Sequence, residues 1–284
     1  MPKISRRGFI KGAAALGLLP VLSAAEEKTP SKTLKFIHIT DSHMDLQDEE
    51  SVEAMQTAVA FINKNYPDLD FVLFGGDNFN NNVPGDKDAV AFAKITGKLH
   101  CPVYSVRGNK ESSPKPKGDP IGIVQFHKMF IEGRGLEVHG KDWALEKNSY
   151  LILGLDSCIE NANNGRYAPE TITFAQKKLA EGKPTVILNH HPYTNYWGGT
   201  EKKDLHNYVL NNTDEVQKKL FGHKNLILTL SGHKHIDNVS KINDVTVIAT
   251  RGFVRPLDLD QYPMRYVELK DGNIDQKLIY TASV

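Results

Sequence analysis

Short apolar runs that stop abruptly at a glycine, an acid or a histidine constrain this chain more than any other feature. Residues 34–40 (LKFIHIT) lead straight into Asp41-Ser42-His43, and residues 71–74 (FVLF) stop at Gly75-Gly76-Asp77. Residues 103–106 (VYSV) stop just short of Gly108-Asn109. Residues 185–188 (TVIL) precede His190-His191-Pro192, and residues 226–230 (LILTL) precede Gly232-His233-Lys234-His235. Near-continuous apolar runs of this length, rich in β-branched and aromatic residues, predict buried strands.

Between the runs the period changes. Val52, Met55, Val59 and Ile62 have helical 3-4-3 spacing and predict a helix over residues 51–65. A second helix is expected over residues 87–99. A third is expected over residues 169–181, with Pro169 at its start and Gly182 just past its end. Residues 150–155, 245–249, 265–269 and 276–280 read as further strands, and residues 133–138 as a loop or a short strand. The first half alternates β and α while strands dominate the second, which predicts an α/β layered fold in one domain.

In open α/β sheets, residues just beyond the strand ends line the ligand crevice, so the five polar segments are expected to converge. They would bring together two Asp, one Asn and at least four His. Carboxylate and imidazole together suit manganese, iron, zinc or nickel. The set exceeds the needs of one tetrahedral ion. Divided between two ions that share one carboxylate, it fits a two-metal hydrolytic site.

Composition removes alternatives. The 284 residues are 40% hydrophobic and 24% charged, an ordinary globular balance. Charges nearly cancel at +1 with no basic stripe, so no nucleic-acid partner is expected. Two cysteines build no disulfide framework and no thiolate zinc site, which leaves Cys101 and Cys158 either free and buried or paired with each other.

Residues 1–25 read as an export signal rather than as part of the fold. Ser5-Arg6-Arg7-Gly8-Phe9-Ile10-Lys11 is followed by an apolar run over 12–22 and by Ser23-Ala24-Ala25, a small-residue cleavage pattern. The run is shorter than the ~20 residues a stable membrane span needs. The paired arginines resemble a twin-arginine signal, which implies passage through that export machinery and a periplasmic or extracellular location. Residues 26–33 are then a linker, and residues 34–284 the domain. Removing Lys3, Arg6, Arg7 and Lys11, with no acids, shifts the formal balance from +1 to −3.

The ordered set D-x-H, G-D, G-N, H-H-P and G-H-x-H, each member after a strand, resembles the calcineurin-like metallophosphoesterase superfamily over residues 34–249. That resemblance implies a four-layer α-β-β-α sandwich of two facing mixed sheets. It implies one divalent ion on Asp41, His43, Asp77 and His235, and a second on Asp77, Asn109, His190 and His233, with Asp77 bridging. It also implies a small-molecule phosphate ester as substrate, hydrolysed by in-line attack of metal-bound hydroxide, with Asp77, Asn109 and His190 in the catalytic set, which Lys110 joins at the position of the family's histidine. His191 is expected to support the ligands, and His38, His100, His127, His139, His206 and His223 to be structural.

Two positions depart from the family pattern. Lys110 stands where a histidine usually follows Gly-Asn, and Asn80 where G-D-x-x-D often carries an acid. A lysine is a fixed cation near neutral pH, able to attract a phosphoryl oxygen but reluctant to donate a proton. Three readings stay open for Lys110: tuning toward diesters with good leaving groups, a subgroup using another acid, or a protein that binds metals without cleaving. A phosphodiester is favoured over a monoester. Tyr193, Tyr196 and Trp197 either stack on a base or sugar or pack their loop down. Arg251 and Arg255 follow the last central strand and either contact phosphate or serve structure.

Overall fold

A computed structural model describes residues 33–83, 85–112, 121–194, 209–254 and 262–281. The export-signal segment, the linker up to residue 32, Tyr196, Trp197 and Arg255 lie outside the described residues. Lys32–Val284 forms one compact unit.

The apolar runs do form buried strands. β1 (Leu34–Ile39), β2 (Phe71–Phe74) and β3 (Val103–Ser105) lie parallel to one another. Two long antiparallel strands, β11 (Pro263–Lys270) and β12 (Asn273–Tyr280), extend the sheet from β1 in the order β12-β11-β1-β2-β3. The second sheet is built on a parallel centre of β6 (Tyr150–Gly154), β7 (Thr185–Leu188), β8 (Leu226–Ser231) and β10 (Val245–Ala249). Antiparallel β4 (Glu137–His139) and β5 (Asp142–Lys147) border it on one side, and β9 (Asn238–Ile242) on the other.

Strand alternation assembles the layers. Ile152, Val186, Leu188, Leu228, Leu230 and Ile248 point from the seven-stranded sheet into a core shared with Phe36, Phe71 and Leu73 of the five-stranded sheet. Their neighbours Leu151, Leu153, Ile187 and Val247 point the other way, into a second core with Ile172, Ala175, Val216 and Leu220. Those four sit on α5 (Pro169–Leu179) and α6 (Thr213–Leu220). On the far side, α1 (Glu49–Asn65) and α2 (Lys87–Thr96) bury Met55, Val59, Ile62, Phe92 and Ile95 in the first core. Each large side chain so buried stabilises by about 1.5–3 kcal/mol. The architecture is the expected four-layer α/β sandwich of two mixed sheets. Trp143 Nε1 donates to Ser105 O at 2.9 Å and ties β5 to β3 across the shared core.

Helix ends differ from expectation for a local reason. α2 stops at Thr96, where Gly97 donates back to Ala93 O, and tighter bonds from Lys98 to Ile95 and from Leu99 to Thr96 carry the chain onward. α5 ends at Leu179 in the same way, through Glu181→Lys178 and Gly182→Leu179 turns. These short three-residue closures are common where a helix unwinds. A four-residue turn, α3 (Asn109–Ser112), and α4 (Ile123–Phe130) complete the described helices. None of the described helices is long and apolar enough to cross a membrane. Cys101 and Cys158 are both free and buried, so no disulfide joins them.

Candidate metal centre

All five polar segments lie at the C-terminal ends of parallel strands, and the backbone there is bent to a common purpose. Asp41, His43, Asp77, His233 and His235 all hold left-handed conformations, with φ of 55°, 44°, 50°, 71° and 57°. Such residues cost on the order of 1–3 kcal/mol each and persist only where their surroundings over-determine them. Hydrogen bonds beyond the strands do so here: Asp41 N to Gly76 O (3.0 Å), His43 N to Asp77 O (2.9 Å) and Gly232 N to His190 O (3.0 Å). Two glycines permit the approach. A Cβ on Gly232 would overlap the side chains of Thr40 and Asp41, and one on Gly108 would overlap Asp77.

The side chains meet in one cluster. His43 Nε2 lies 3.0 Å from His235 Nε2, 3.8 Å from Asp77 Oδ2 and 4.0 Å from Asp41 Oδ1. His235 Nε2 lies 3.3 Å from Asp41 Oδ1. Opposite, His190 Nε2 lies 3.5 Å from Asp77 Oδ1 and 3.1 Å from Asn109 Oδ1. The His233 ring stands edge-on to His190, with centroids 5.0 Å apart. Two donors each about 2.1 Å from one ion would sit about 3.0–3.4 Å apart, a spacing met by His43–His235, His235–Asp41 and His190–Asn109, while the two Asp77 oxygens lie somewhat farther from their imidazoles.

Hydrogen bonds aim the donors inward. His190 Nδ1 pairs with Gly75 O at 2.9 Å and His43 Nδ1 with Asn80 Oδ1 at 3.0 Å, so each Nε2 is turned into the cluster. Asp41 Oδ2 accepts from Thr40 Oγ1 (2.8 Å) and His233 N (2.9 Å), whereas its Oδ1 is fully buried and accepts no hydrogen bond. A buried carboxylate oxygen left without a donor, facing imidazole nitrogens, fits a divalent cation. Burial alone would raise Asp41 and Asp77, yet the facing His235 and His190 hold both well below the usual carboxylate range. Burial lowers His43 to about 4 against the pull of Asp77, while Asp77 overcomes burial at His190 and pushes it up to about 9.

The remaining expected residues divide. Asn109 and Lys110 open α3, where Lys110 N donates to Asp77 Oδ1 at 2.6 Å and Lys110 O accepts from Asn81 Nδ2. His191 belongs by proximity to a group with His190 and His233. Both of its nitrogens are engaged, however, with Ser157 Oγ at 2.8 Å and Asn163 O at 3.1 Å, and we read it as a support rather than a ligand. Tyr193 corrects the stacking alternative: it is 1% exposed, packs edge-on against Phe221, and bonds Tyr167 Oη at 2.6 Å. Arg251 is half-buried and donates to Tyr280 Oη. His38, expected to be structural, bonds Thr250 Oγ1 at 2.9 Å.

Two residues outside the expected ligand set serve as anchors. Glu111 accepts the backbone N–H groups of Gly108 (2.7 Å), Asn78 (2.7 Å) and Asp77 (3.1 Å), pinning the β2 and β3 loops together. Burial, then the Asp77 charge, pushes its carboxyl up to about 7 against the Gly108 and Asn78 donors. Asn163 reaches Asn109 Nδ2 at 3.5 Å. Glu111 is the acid that follows Gly108-Asn109-Lys110 in the sequence, whereas no local pattern marks Asn163, which acts on a segment distant in the chain.

Comparison with known proteins agrees with this geometry. A probable cyclic nucleotide phosphodiesterase of Psychrobacter arcticus is 22% identical over 82% of this chain and 84% of its own length. Another from Rhodopseudomonas palustris is 25% identical over 56% of this chain, which spans 57% of that relative. A crystal structure of a dimetal phosphatase from Danio rerio shares the fold at 12% identity, with a TM-score of 0.66 over 88% of this chain and 99% of that one. The calcineurin-like phosphoesterase model matches residues 34–237, from β1 through the loop that carries His233 and His235, and the chain therefore belongs to that family.

Proposed function

We propose that this chain is an exported, dinuclear metal-dependent phosphodiesterase acting on a small phosphate diester. The observation that carries the reading is Asp77, whose two oxygens face different groups: Oδ2 toward His43 and Oδ1 toward His190. One ion would be held by Asp41, His43, Asp77 and His235, and the other by Asp77, Asn109, His190 and His233. When bound, a divalent pair supplies an activated water at neutral pH and offsets charge on the phosphate oxygens.

The chain's own residues hold this arrangement. Gly75 O and Asn80 fix two imidazoles, Glu111 ties two loops together, and Lys110 N holds the Asp77 oxygen that faces His190. Lys110 stands after Asn109 in place of a histidine, and an amine there is suited to holding a phosphoryl oxygen. That favours diesters whose leaving group departs easily. The curated relatives named probable cyclic nucleotide phosphodiesterases support the same class. Export rests on the paired arginines Arg6-Arg7 and the small-residue exit at Ser23-Ala24-Ala25. N-terminal sequencing of secreted protein should begin near Glu26, and a retained Arg6-Arg7 would contradict export.

The test of function is a paired assay of protein reconstituted with manganese, zinc or iron, using Asp77→Asn as the blank. Bis-p-nitrophenyl phosphate should be cleaved faster than p-nitrophenyl phosphate, and cyclic nucleotides should follow the diester. A monoester preference would overturn the diesterase reading. Two bound ions with neither activity would overturn the enzyme reading.

A further inference from the structure

The hydrogen bonds around His43 extend one residue past its partner. Asn80 Nδ2 donates to Asp45 Oδ2 at 3.2 Å. The opposite end of that amide, Oδ1, must therefore face His43, where it lies 3.0 Å from Nδ1. A carbonyl oxygen only accepts, so Nδ1 is the donor, and in the neutral imidazole Nε2 then keeps its lone pair. His43, Asn80 and Asp45 are all buried. Asp45 is itself held in place: Oδ1 accepts from Gln47 N at 2.9 Å, Oδ2 accepts a second amide from Asn82, and Asp45 N donates to Ser51 Oγ at 3.0 Å.

We propose that Asp45 and Asn80 are positioning residues, forming a relay Asp45–Asn80–His43 that locks the tautomer in which His43 Nε2 is free to hold a metal ion. The inference deepens the two-ion reading above and rests on it. It also accounts for the departure at position 80. The acid that would steady the histidine stands one residue farther out, at Asp45, and an amide is needed between them to donate one way and accept the other. An acid at 80 would face the Asp45 carboxylate directly, and two like charges at that separation repel. Partners of this kind around a metal-binding histidine are worth 10–100-fold in metal affinity.

The relay makes a prediction that a merely structural role does not: its polarity can be reversed. In the double variant Asp45→Asn/Asn80→Asp the amide donates to the carboxylate, and the carboxylate accepts from His43. Half-buried Asn82 turns its own amide to suit. The experiment uses the chain stripped of metal by chelation. A two-bond proton–nitrogen correlation on 15N-histidine-labelled protein reads the His43 tautomer, and calorimetric titration with manganese or zinc reads affinity. Wild type should show the proton on Nδ1 and two binding events. Asn80→Leu, with circular dichroism confirming its fold, should lose the single tautomer and weaken one binding event about 10–100-fold. Asn80→Asp alone should also weaken it, and the double variant should recover most of the loss.

A wild-type His43 protonated on Nε2 would overturn the relay, as would unchanged affinity in folded Asn80→Leu. A double variant no better than Asn80→Asp would overturn it as well. Protein that takes up no ion yet keeps the Nδ1 proton in wild type, and loses it in Asn80→Leu, would support the relay and overturn the two-ion reading instead.

Discussion

Every carboxylate and amide donor of the cluster follows a strand of the five-stranded sheet: Asp41 after β1, Asp77 after β2 and Asn109 after β3. The seven-stranded sheet brings only imidazoles, with His190 after β7 and His233 and His235 after β8. His43 is the imidazole on the acid side, and it is held by an amide backed by an acid. The difference teaches how such a crevice is made stable. Acids crowded on one sheet repel, and here imidazoles from the facing sheet approach each of them, His235 toward Asp41 and His190 toward Asp77. Neither sheet alone carries a complete donor set, so the site exists only where the two meet.

The largest break in that division comes from Asp77, the acid that faces both groups. Asp77→Asn removes its charge and should lower turnover by at least about 10²–10³, with loss of bound metal read by elemental analysis. Unchanged turnover and metal content would remove Asp77 from the site.

The seam between the sheets can be broken without substituting a donor. Gly232→Ala places a methyl group against Thr40 and Asp41 and should destabilise by about 1–3 kcal/mol in denaturant titration. A variant of wild-type stability would mean that the two loops do not meet as described.

His38 on β1 and Thr250 after β10 join the sheets beneath the cluster, and Arg265 Nε donates to the same Thr250 hydroxyl at 3.1 Å. Burial, with Arg265 second, lowers His38 to about 3. The unfolded chain therefore binds the proton first as pH falls, and stability contributed by neutral His38 is lost from about pH 6.5 down toward 3. The slope attributable to one such group approaches 1.4 kcal/mol per pH unit at most, roughly. His38→Asn should flatten the acid limb of a stability–pH curve, and an unaltered limb would contradict the assignment.

Tyr193 sharpens the comparison from outside the crevice, behind the seven-stranded sheet. Tyr193→Phe should cost about 0.5–1.5 kcal/mol by losing its bond to Tyr167 and leave KM unchanged. A raised KM would return it to the substrate.

The cluster was legible in the sequence because each donor follows directly on a strand whose apolar run has no other explanation. FVLF, TVIL and VTVIA match their strands residue for residue, being buried on both faces and bounded by glycine or polar residues. Elements with one wet face were harder to read. β9 (NVSKI) alternates half-buried with exposed positions at the sheet edge, and α6 (TDEVQKKL) buries only Val216 and Leu220. α4 buries Phe126 and Phe130, a pair four apart that alone does not distinguish a helix from scattered core residues. At the site, Asn80 stood out as a departure, but its partner His43 lies 37 residues away, and only the fold brings them together.

The central claim is that the two sheets jointly hold two ions about Asp77, and anomalous-difference crystallography of protein reconstituted with manganese or zinc tests it most directly. The account predicts two peaks, one within bonding distance of Asp41, His43 and His235, the other of Asn109, His190 and His233, with Asp77 reaching both. A single peak, or a peak bound through His191 in place of His190, would contradict it.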